Sequence, residues 1–139
     1  MKVLVIDDDP AFTDLLKILL EPASSNVIAA NCGVDGIDLA KSSLPDIIIL
    51  DLMMPEMDGW EVCRSIREFS PVPILILSAL DSPGMVAAAL DAGADDYLIK
   101  PVTSGVLIAH INKLVRRNNH DINISTAVNQ AGQAISANL

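Results

Sequence analysis

The chain is expected to fold as an α/β domain in which a doubly wound parallel sheet of five strands lies between two layers of helices. Three observations predict this architecture. Short apolar runs alternate with segments of helical period, and this β-α unit recurs five times. The runs are apolar at nearly every position, which is typical of parallel strands buried on both faces. Polar residues follow four of the five runs, which indicates a shared functional edge of the sheet. The runs are Val3–Ile6, Val27–Ala30, Ile47–Leu50, Ile74–Leu77 and Tyr97–Ile99.

The first three helices are marked by start and stop signals beside their apolar residues. Asp9 and Pro10 are typical of an N-cap followed by proline at the first helical position. The second helix is expected to end before Pro45, and the third to begin at the turn formed by Asp58 and Gly59. The apolar residues at helical spacing are Phe12, Leu15, Leu16, Leu19 and Leu20 in the first helix, Val34, Ile37 and Ala40 in the second, and Trp60, Cys63 and Ile66 in the third.

The last two helices are predicted from the same kinds of signal. The fourth is expected to begin at Ser82, directly before a proline, and to end at Gly93. The fifth is expected to begin at Thr103 or Ser104 and to end at Arg117, where a positive charge suits the helix dipole. The apolar face of the fifth helix is formed by Leu107, Ile111 and Leu114.

Composition and charge exclude several classes of protein. The formal net charge is 9 − 18 = −9, which argues against direct nucleic-acid binding, because phosphate affinity comes from clusters of Lys and Arg. No apolar run approaches the roughly 18 residues of a membrane span, and the first residues do not resemble a signal peptide, so we expect a cytoplasmic protein without a membrane contact. Cys32 and Cys63 lack metal or redox spacing and are expected to be reduced.

The composition changes after Arg117, which divides the chain into a domain at 1–117 and a remainder at 118–139. The remainder is rich in asparagine and carries Asp121 as its one charged side chain other than histidine. A weak heptad trace runs through it at spacings of four, three and four residues. Two interpretations stay open: a polar linker or tail, or the start of a helix toward an output domain absent from this sequence. The residues of the trace are Ile124, Val128, Ala131 and Ile135.

Carboxylates, a hydroxyl and a lysine are expected to meet at the carboxyl edge of the sheet. Asp7 and Asp8 follow the first run, Asp51 the third, Ser78 the fourth and Lys100 the fifth. Neighbouring carboxylates repel and need a cation to stay ionised, and Mg²⁺ is usually held by one or two carboxylates plus phosphate. A carboxylate can also attack phosphorus and form an aspartyl phosphate. The pattern predicts a phosphate and magnesium site with Asp51 as the phosphoryl acceptor.

Four sequence segments carry a specific set of motifs, in order and at suitable separations. They are Val3–Pro10, Asp51–Gly59, Leu77–Ala79 and Gly93–Pro101. Together they resemble the receiver domain of bacterial two-component response regulators, and the resemblance covers residues 1–117. It implies the flavodoxin-like (βα)5 sandwich with the strand order 2-1-3-4-5.

The resemblance implies a switch that is activated by phosphorylation. Asp51 would take a phosphoryl group from a histidine kinase or a phosphotransfer protein in a reaction that depends on Mg²⁺ or Mn²⁺. Asp8 would ligate the metal directly, Asp7 largely through water, and Met53 through its backbone carbonyl. Such a domain is not an enzyme in the usual sense, but it catalyses its own phosphotransfer and a slow autodephosphorylation.

The resemblance also implies which residues bind the phosphoryl group and which change conformation in response to it. Ser78, Ala79 and Lys100 would bind the phosphoryl oxygens, and Pro101 would follow a cis peptide bond. Ser78 and Tyr97 would form a switch pair, in which the hydroxyl moves toward the phosphoryl group and the aromatic ring turns inward behind it. From the residues alone, Tyr97 can equally be an ordinary strand aromatic whose hydroxyl lies at the surface.

Five positions depart from receivers whose output is a winged-helix DNA-binding domain. Those receivers carry charged residues on the fourth and fifth helices, where this chain has Val86, Ala88, Val106 and His110, and Val102 replaces the usual phenylalanine. We expect an apolar contact surface on the fourth helix, the fifth strand and the fifth helix, used by a homodimer or by another domain. The alternative is that these small residues simply pack on the sheet.

Two positions that tune dephosphorylation in this family are apolar here. Met53 and Leu80 cannot orient an attacking water by hydrogen bonding, so we predict a long-lived phosphoryl group.

Three other functions remain as alternatives. An aspartyl-phosphate phosphatase of the haloacid-dehalogenase type would need an aspartate where Met53 stands. A nucleotide or flavin binding module would need a phosphate loop rich in glycine, serine or threonine after the first run. The remaining alternative is a receiver-like interaction module that does not depend on phosphate.

Overall fold

The computed structural model describes residues 1–24 and 26–137, with only the backbone described from 132 onward. Within these residues five strands alternate with five helices, as the sequence predicts. The strands are β1 (Lys2–Ile6), β2 (Asn26–Ala30), β3 (Ile47–Leu50), β4 (Ile74–Ser78) and β5 (Asp96–Ile99). The helices are α1 (Pro10–Leu20), α2 (Gly33–Ser43), α3 (Gly59–Arg67), α4 (Pro83–Asp91) and α5 (Ser104–Ala137).

All neighbouring strands are parallel, and their order is β2-β1-β3-β4-β5, which confirms the flavodoxin-like expectation. The register places Ile6 opposite Ala30 on one side and Leu50 on the other. The chain direction across the sheet reverses between β1 and β3, and ligands of such sheets bind outside the carboxyl ends at that point. The residues that follow β1 and β3 therefore lie at the expected position of a site.

Two apolar cores cover the two faces of the sheet, because side chains alternate along each strand. Leu4 and Ile6 of β1 point into the core under α2, α3 and α4. Val3 and Val5 point into the core under α1 and α5. The buried helix residues are Ala40, Val62, Cys63, Ile66 and Ala89 on the first face, and Leu16, Leu20, Leu107, Ile111 and Leu114 on the second.

Local capping interactions set the starts of three helices as the sequence predicts. Asp9 accepts a hydrogen bond from the Ala11 N–H at 3.0 Å, and Asp58 accepts one from the Glu61 N–H at 2.9 Å. Ser82 caps α4 in the same way. Such caps satisfy backbone donors that have no partner within the helix.

The prediction that α5 ends at Arg117 was wrong, because the helix continues for another twenty residues to Ala137. Arg117 therefore lies in the middle of α5, and every residue from 119 to 131 is exposed. The last member of the heptad trace, Ile135, lies outside the residues whose side chains are described. The role of 118–139 stays a prediction. Among the described residues, no helix is long and apolar enough to cross a bilayer.

Candidate functional site

Three carboxylates converge at the carboxyl edge of the sheet, immediately after β1 and β3. One oxygen atom from each of Asp7, Asp8 and Asp51 lies within 4.8 Å of the others. The sheet ladder positions two of them, because the N–H of Asp7 bonds the Ala30 carbonyl at 3.1 Å and the N–H of Asp51 bonds the Ile6 carbonyl at 3.0 Å. Asp7 and Asp51 are buried, with 2% and 8% of their surface exposed, whereas Asp8 is exposed. The parallel register alone therefore brings the predicted acidic residues together.

Lys100 is the cation that faces this cluster. Its Nζ lies 2.8 Å from Asp7 Oδ2 and 3.5 Å from Asp51 Oδ2. The residue follows β5, and its N–H bonds the Ser78 carbonyl at 2.8 Å, which ties the lysine to the end of β4. The peptide bond between Lys100 and Pro101 is cis.

Phe12 supports Lys100 from α1, and the sequence did not single it out for this role. The Lys100 Nζ lies over the Phe12 ring, 4.0 Å from its centroid, so the ring face attracts the ammonium group. The helical spacing of the apolar residues predicts that Phe12 lies on the inner side of α1, and the residue is partly buried there. No sequence pattern indicates that its ring meets a lysine 88 residues later.

The cluster as a whole is short of positive charge, with three carboxylates against one ammonium group. Two of the carboxylates are buried, where repulsion between like charges is least screened. Carboxylate oxygens are the ligands that Mg²⁺ prefers, so the donor set fits a divalent cation. The N–H of Met53 donates to Asp51 Oδ1 at 3.3 Å, and the Met53 side chain is 58% exposed.

The β4-α4 loop connects Ser78 to Tyr97. Ser78 is fully buried at the end of β4, and its Oγ accepts a hydrogen bond from the Leu80 N–H at 3.3 Å. The Tyr97 hydroxyl donates to the Leu80 carbonyl at 2.6 Å, so this hydroxyl is held by the loop. Ala79, between the two bonded residues, is exposed. Leu80 thus contacts both Ser78 and Tyr97 through its backbone.

The phenol of Tyr97 is harder to ionise than an ordinary tyrosine. Burial raises its pKa above 10.0, and the negative charges of Asp51 and Asp81 raise it further, while the hydroxyl of Ser78 partly offsets this. Tyr97 therefore acts as a neutral hydrogen-bond donor over the physiological pH range.

The loop between β3 and α3 is built around Gly59, which the sequence marks only as a turn residue. The Gly59 N–H bonds the Leu52 carbonyl at 2.9 Å. A Cβ at position 59 would overlap the carbonyl oxygen of Asp51 and the Cα of Leu52, so only glycine fits. Gly59 thereby lets the start of α3 approach the backbone of Asp51 closely.

Residues 3–112 match the sequence profile described as the response regulator receiver domain. The chain belongs to the response regulator receiver family. It is 45% identical to response regulator MprA of Mycobacterium avium over 118 residues, which are 84% of this chain and 52% of the relative. The chain spans about half the length of the curated relatives it matches. It is thus a receiver domain of two-component systems, a kind of domain that is generally not a classical enzyme.

Solved receiver domains share the fold over most of the chain. The receiver domain of the Francisella response regulator 1452 is 35% identical, with a TM-score of 0.78, and the match covers 84% of this chain and 98% of that one. The BeF3-activated DrrB receiver domain is 29% identical, with a TM-score of 0.75 and coverages of 83% and 97%.

The positions that depart from the winged-helix receivers differ in their exposure in this receiver domain. Val106 is 45% exposed on α5, and Val86 is partly exposed on α4. His110 bonds Asp96 of β5 through Nδ1 at 2.6 Å, so it joins α5 to the edge strand. Val102 packs against the core under α1 and α5, and it lines an apolar cavity of about 220 Å³ between these helices. Val86, Val106 and His110 are therefore at least partly exposed on α4 and α5, whereas Val102 packs against the core under α1 and α5.

Proposed function

We propose that this receiver domain is a switch in which Asp51 accepts a phosphoryl group from a histidine kinase or a phosphotransfer protein. The observation that carries the proposal is the convergence of Asp7, Asp8, Asp51 and Lys100 at one edge of the sheet. Asp51 follows β3 at the reversal of the strand order, and it lies near both the other acids and the lysine. The similarity to a BeF3-activated receiver domain supports an activatable state for this chain.

The acidic residues would hold the metal on which the transfer depends, Mg²⁺ or Mn²⁺. Asp8 and Asp51 would ligate it through carboxylate oxygens, Asp7 largely through water, and Met53 through its backbone carbonyl. The metal would neutralise charge on the phosphoryl oxygens. Burial of Asp7 and Asp51 makes each electrostatic interaction in the site stronger than it would be in water.

Lys100, Ser78 and Ala79 would bind the phosphoryl oxygens. Lys100 already lies 3.5 Å from Asp51 Oδ2, so only a short movement separates its ammonium group from an oxygen carried by Asp51. Ser78 supplies a hydroxyl, and Ala79 supplies a backbone N–H from an exposed position. The domain in this way catalyses its own phosphorylation by alignment and charge neutralisation.

The switch proposed for Ser78 and Tyr97 works through Leu80. The Leu80 N–H donates a hydrogen bond to the Ser78 hydroxyl at 3.3 Å. This bond breaks when the hydroxyl moves toward a phosphoryl group. Because the Leu80 carbonyl also holds the Tyr97 hydroxyl at 2.6 Å, displacement of Leu80 releases the ring to turn inward. A near-complete shift between two states requires a difference of about 5.5 kcal/mol in how the phosphoryl group favours them.

The output surface lies on α4, β5 and α5. Four large apolar side chains there are between 41% and 46% exposed, and of the nine residues in α4 only Ala89 is buried. An apolar surface of this kind favours contact with a second copy or another domain. The four side chains are Met85, Leu90, Ile99 and Val106.

Substitutions on this surface separate assembly from phosphorylation. Val86→Asp and Val106→Asp should leave phosphoryl uptake intact and weaken self-association, because each places a charge in an apolar contact. Light scattering at high protein concentration measures the mass, and an equal mass for wild type and variants would contradict the dimer.

The kinase would dock beside the apolar cavity between α1 and α5. This cavity of about 220 Å³ is lined by Phe12, Leu15 and Val102 and borders Lys100. Leu15 and Ile18 of α1 are 47% and 67% exposed, which extends the apolar surface away from the site. A partner bound there reaches Asp51 without covering the surface formed by α4, β5 and α5.

The phosphoryl group is expected to be long-lived. Met53 and Leu80 carry no side-chain hydrogen-bonding group with which to orient a water for attack on the phosphorus. Release of inorganic phosphate from the phosphorylated protein measures the lifetime. Met53→Asn, which adds a hydrogen-bonding amide, should accelerate release, and rapid release from the wild type would contradict the expectation.

The deciding experiment is the intact mass of the protein after incubation with Mg²⁺ and acetyl phosphate. We expect the wild type to gain one phosphoryl group and Asp51→Asn to gain none. No gain in either protein would favour a receiver-like interaction module that works without phosphate. A gain in both would place the phosphoryl group on another residue.

A further inference from the structure

The Lys100 ammonium group lies between two carboxylates and the ring of Phe12. Its Nζ is 2.8 Å from Asp7 Oδ2, 3.5 Å from Asp51 Oδ2 and 4.0 Å from the centroid of the Phe12 ring. The ring attracts the cation as the carboxylates do, because the face of an aromatic ring carries partial negative charge. Phe12 therefore restrains Lys100 from the side that the carboxylates leave open.

An ammonium group has three N–H donors, and the contacts of Lys100 leave one of them weakly used. Asp7 accepts a hydrogen bond at 2.8 Å, and the Phe12 ring faces the group from α1. The distance of 3.5 Å to Asp51 Oδ2 is longer than a normal N–H···O hydrogen bond, so the donor on that side is available. An oxygen of a phosphoryl group on Asp51 would lie on that side.

A ring suits this position better than a further polar partner. It attracts the ammonium group without adding net charge, whereas a fourth carboxylate would repel an incoming phosphoryl group. It also offers no oxygen that competes for the remaining N–H. The Lys100 side chain is only 24% exposed, so water screens its charge less than on an open surface.

The position of Phe12 follows from the start of α1 and from the packing behind the ring. Asp9 caps the helix and Pro10 begins it, which places Phe12 at the third residue of α1. The ring packs against the core under α1 and α5, so it is supported from behind. The cavity of about 220 Å³ borders both the ring and Lys100, and it leaves room for a larger ring at position 12.

We propose that Phe12 is a positioning residue for phosphoryl transfer, which holds the Lys100 ammonium group beside Asp51 before the phosphoryl group arrives. A free lysine side chain has many rotamers, and ordering it during the reaction costs free energy. The ring and Asp7 together restrict these rotamers in advance, so less ordering is left for the transfer step. The inference rests on the proposed function of Asp51 as the phosphoryl acceptor.

The rate of phosphoryl uptake from acetyl phosphate, which needs no partner docked on α1, measures the effect of the ring. The bond between phosphorus and the acetyl oxygen breaks, a carboxylate oxygen of Asp51 bonds to phosphorus, and acetate leaves. Phe12→Leu should slow uptake about fivefold at saturating Mg²⁺, because leucine stays apolar but lacks the ring face. Phe12→Trp should match or exceed the wild-type rate, because indole attracts cations more strongly. The intact mass followed over time gives each rate.

Phe69 provides a matched control, since it is the other phenylalanine of the chain and also faces a lysine. The Lys41 Nζ lies 5.1 Å from the centroid of its ring. Phe69 follows α3 in the connection to β4, at the edge of the sheet opposite Asp51. Phe69→Leu should take up the phosphoryl group at the wild-type rate. Equal slowing of Phe12→Leu and Phe69→Leu would show a general loss of stability and overturn the proposal.

Fluorinated phenylalanine separates the attraction for the cation from the size of the side chain. In the Phe69→Leu protein Phe12 is the only phenylalanine, so a fluorinated analogue replaces it alone. Fluorine withdraws electron density from the ring face, while the ring keeps nearly the same shape. We expect the uptake rate to fall stepwise through the monofluoro, difluoro and trifluoro analogues. Equal rates across the series would mean that the ring acts through packing alone, against the proposal.

A double-mutant cycle shows whether Phe12 acts through Lys100. Lys100→Met keeps most of the length of the side chain and removes its charge. Phe12→Leu should therefore have no further effect on uptake in the Lys100→Met protein. A full additional slowing would show that the ring acts on another group, and the positioning role would be wrong.

Proton NMR measures the contact itself without metal or phosphate. The ε-methylene protons of Lys100 should lie upfield in the wild type, because of the ring current of Phe12, and should move downfield in Phe12→Leu. An unchanged chemical shift would contradict the contact.

The same proteins distinguish failure of this inference from failure of the proposed switch. If the wild type and Phe12→Leu take up the phosphoryl group equally fast, Phe12 has no positioning role and Asp51 is still the acceptor. Faster uptake by Phe12→Leu would show that the ring holds the lysine away from the phosphoryl group, which also overturns the proposal. If the wild type takes up none, the switch and the role of Phe12 are both wrong.

Discussion

At the amino edge of the sheet, the Arg67 guanidinium donates hydrogen bonds to three backbone carbonyls and to Asp95. The three carbonyls belong to Gly93, Ser70 and Val72, at 2.8, 3.1 and 2.6 Å. Asp95 accepts from Arg67 at 2.8 Å and from the N–H of Ile74, at the start of β4, also at 2.8 Å. At the carboxyl edge, in contrast, the single ammonium group of Lys100 faces three carboxylates.

The charged groups at the amino edge stabilise the fold, whereas the carboxylates at the carboxyl edge remain available for chemistry. The Arg67 fork and Asp95 use each other and nearby backbone groups, so they lock the loops before β4 and β5 in place. The three carboxylates at the other edge have too few donors, and the like charges oppose one another. The fold therefore combines a repulsive carboxylate cluster at one edge with a fully hydrogen-bonded ion pair at the other.

The largest effect is expected from breaking the amino edge. Arg67→Ala removes four hydrogen bonds and leaves carbonyls and Asp95 without their donor, so it should lower the free energy of unfolding by about 3 kcal/mol. Urea unfolding followed by the fluorescence of Trp60, the only tryptophan, measures this. Arg64→Ala, on an exposed position of the same helix, is the control and should cost less than about 0.5 kcal/mol. Equal losses would refute a special role for Arg67.

The next effect is a rise in the free energy of unfolding when a divalent cation neutralises the carboxylates at the carboxyl edge. At a Mg²⁺ concentration ten times its Kd, the free energy of unfolding should rise by about 1.4 kcal/mol, because the ion binds only the folded state. Asp8→Asn should lose most of this gain. Asp9→Asn is the matched control, since asparagine also caps helices and Asp9 is used as the cap of α1. Thermal unfolding with and without Mg²⁺ measures the shift, and an equal gain in Asp8→Asn would contradict the assignment.

Removing one carboxylate should stabilise the protein in the absence of metal. Asp51→Asn relieves repulsion with Asp7 and Asp8 while Lys100 keeps its 2.8 Å contact with Asp7, so we expect a gain of about 1 kcal/mol. Asp58→Asn is the control. It also removes one negative charge, but asparagine caps a helix as well as aspartate does, so stability should change little. The gain should shrink at high salt. Urea unfolding in the presence of a metal chelator tests this, and a loss of stability would show that Asp51 is already well compensated.

The smallest effect concerns Tyr97. Tyr97→Phe removes the hydrogen bond to the Leu80 carbonyl, which should cost about 1 kcal/mol or less. The pKa of Tyr97 is raised in the folded state, so the unfolded chain loses its phenol proton first as the pH rises. Stability from this group is complete below pH 10.0 and falls as the pH rises through the folded pKa. Absorbance titration of this only tyrosine should give a midpoint above 10.0, and a midpoint at 10.0 would contradict burial.

The sequence predicts the carboxyl edge well because parallel strands impose it. Each apolar run ends where its polar residues begin, so Asp7, Asp51 and Lys100 could be grouped without knowing any distance. The amino edge could not be predicted in this way. Arg67 and Asp95 are 28 residues apart, and no sequence pattern links the end of α3 to the loop before β5. Only the packing of α3 beside that loop brings them together.

The length of α5 also escaped prediction, for a different reason. Arg116 and Arg117 suit a helix C-terminus, and the following asparagines have weak helix propensity, so local signals favoured an end. The helix nevertheless continues to Ala137. Local preference is therefore a weak guide to the residue at which a helix ends.

The register between β1 and β3 means that these strands do not tolerate an inserted or deleted residue. Ile6 lies opposite Leu50, so a single residue inserted within β3 would rotate every later side chain to the other face of the sheet. Leu50 would then enter the acidic cluster and the Asp51 carboxylate would be driven into an apolar core. An engineer who needs to insert a tag or a sensor should therefore lengthen the loop after α1 or the end of α5, and leave the residue count from β1 to Asp7 and from β3 to Asp51 untouched.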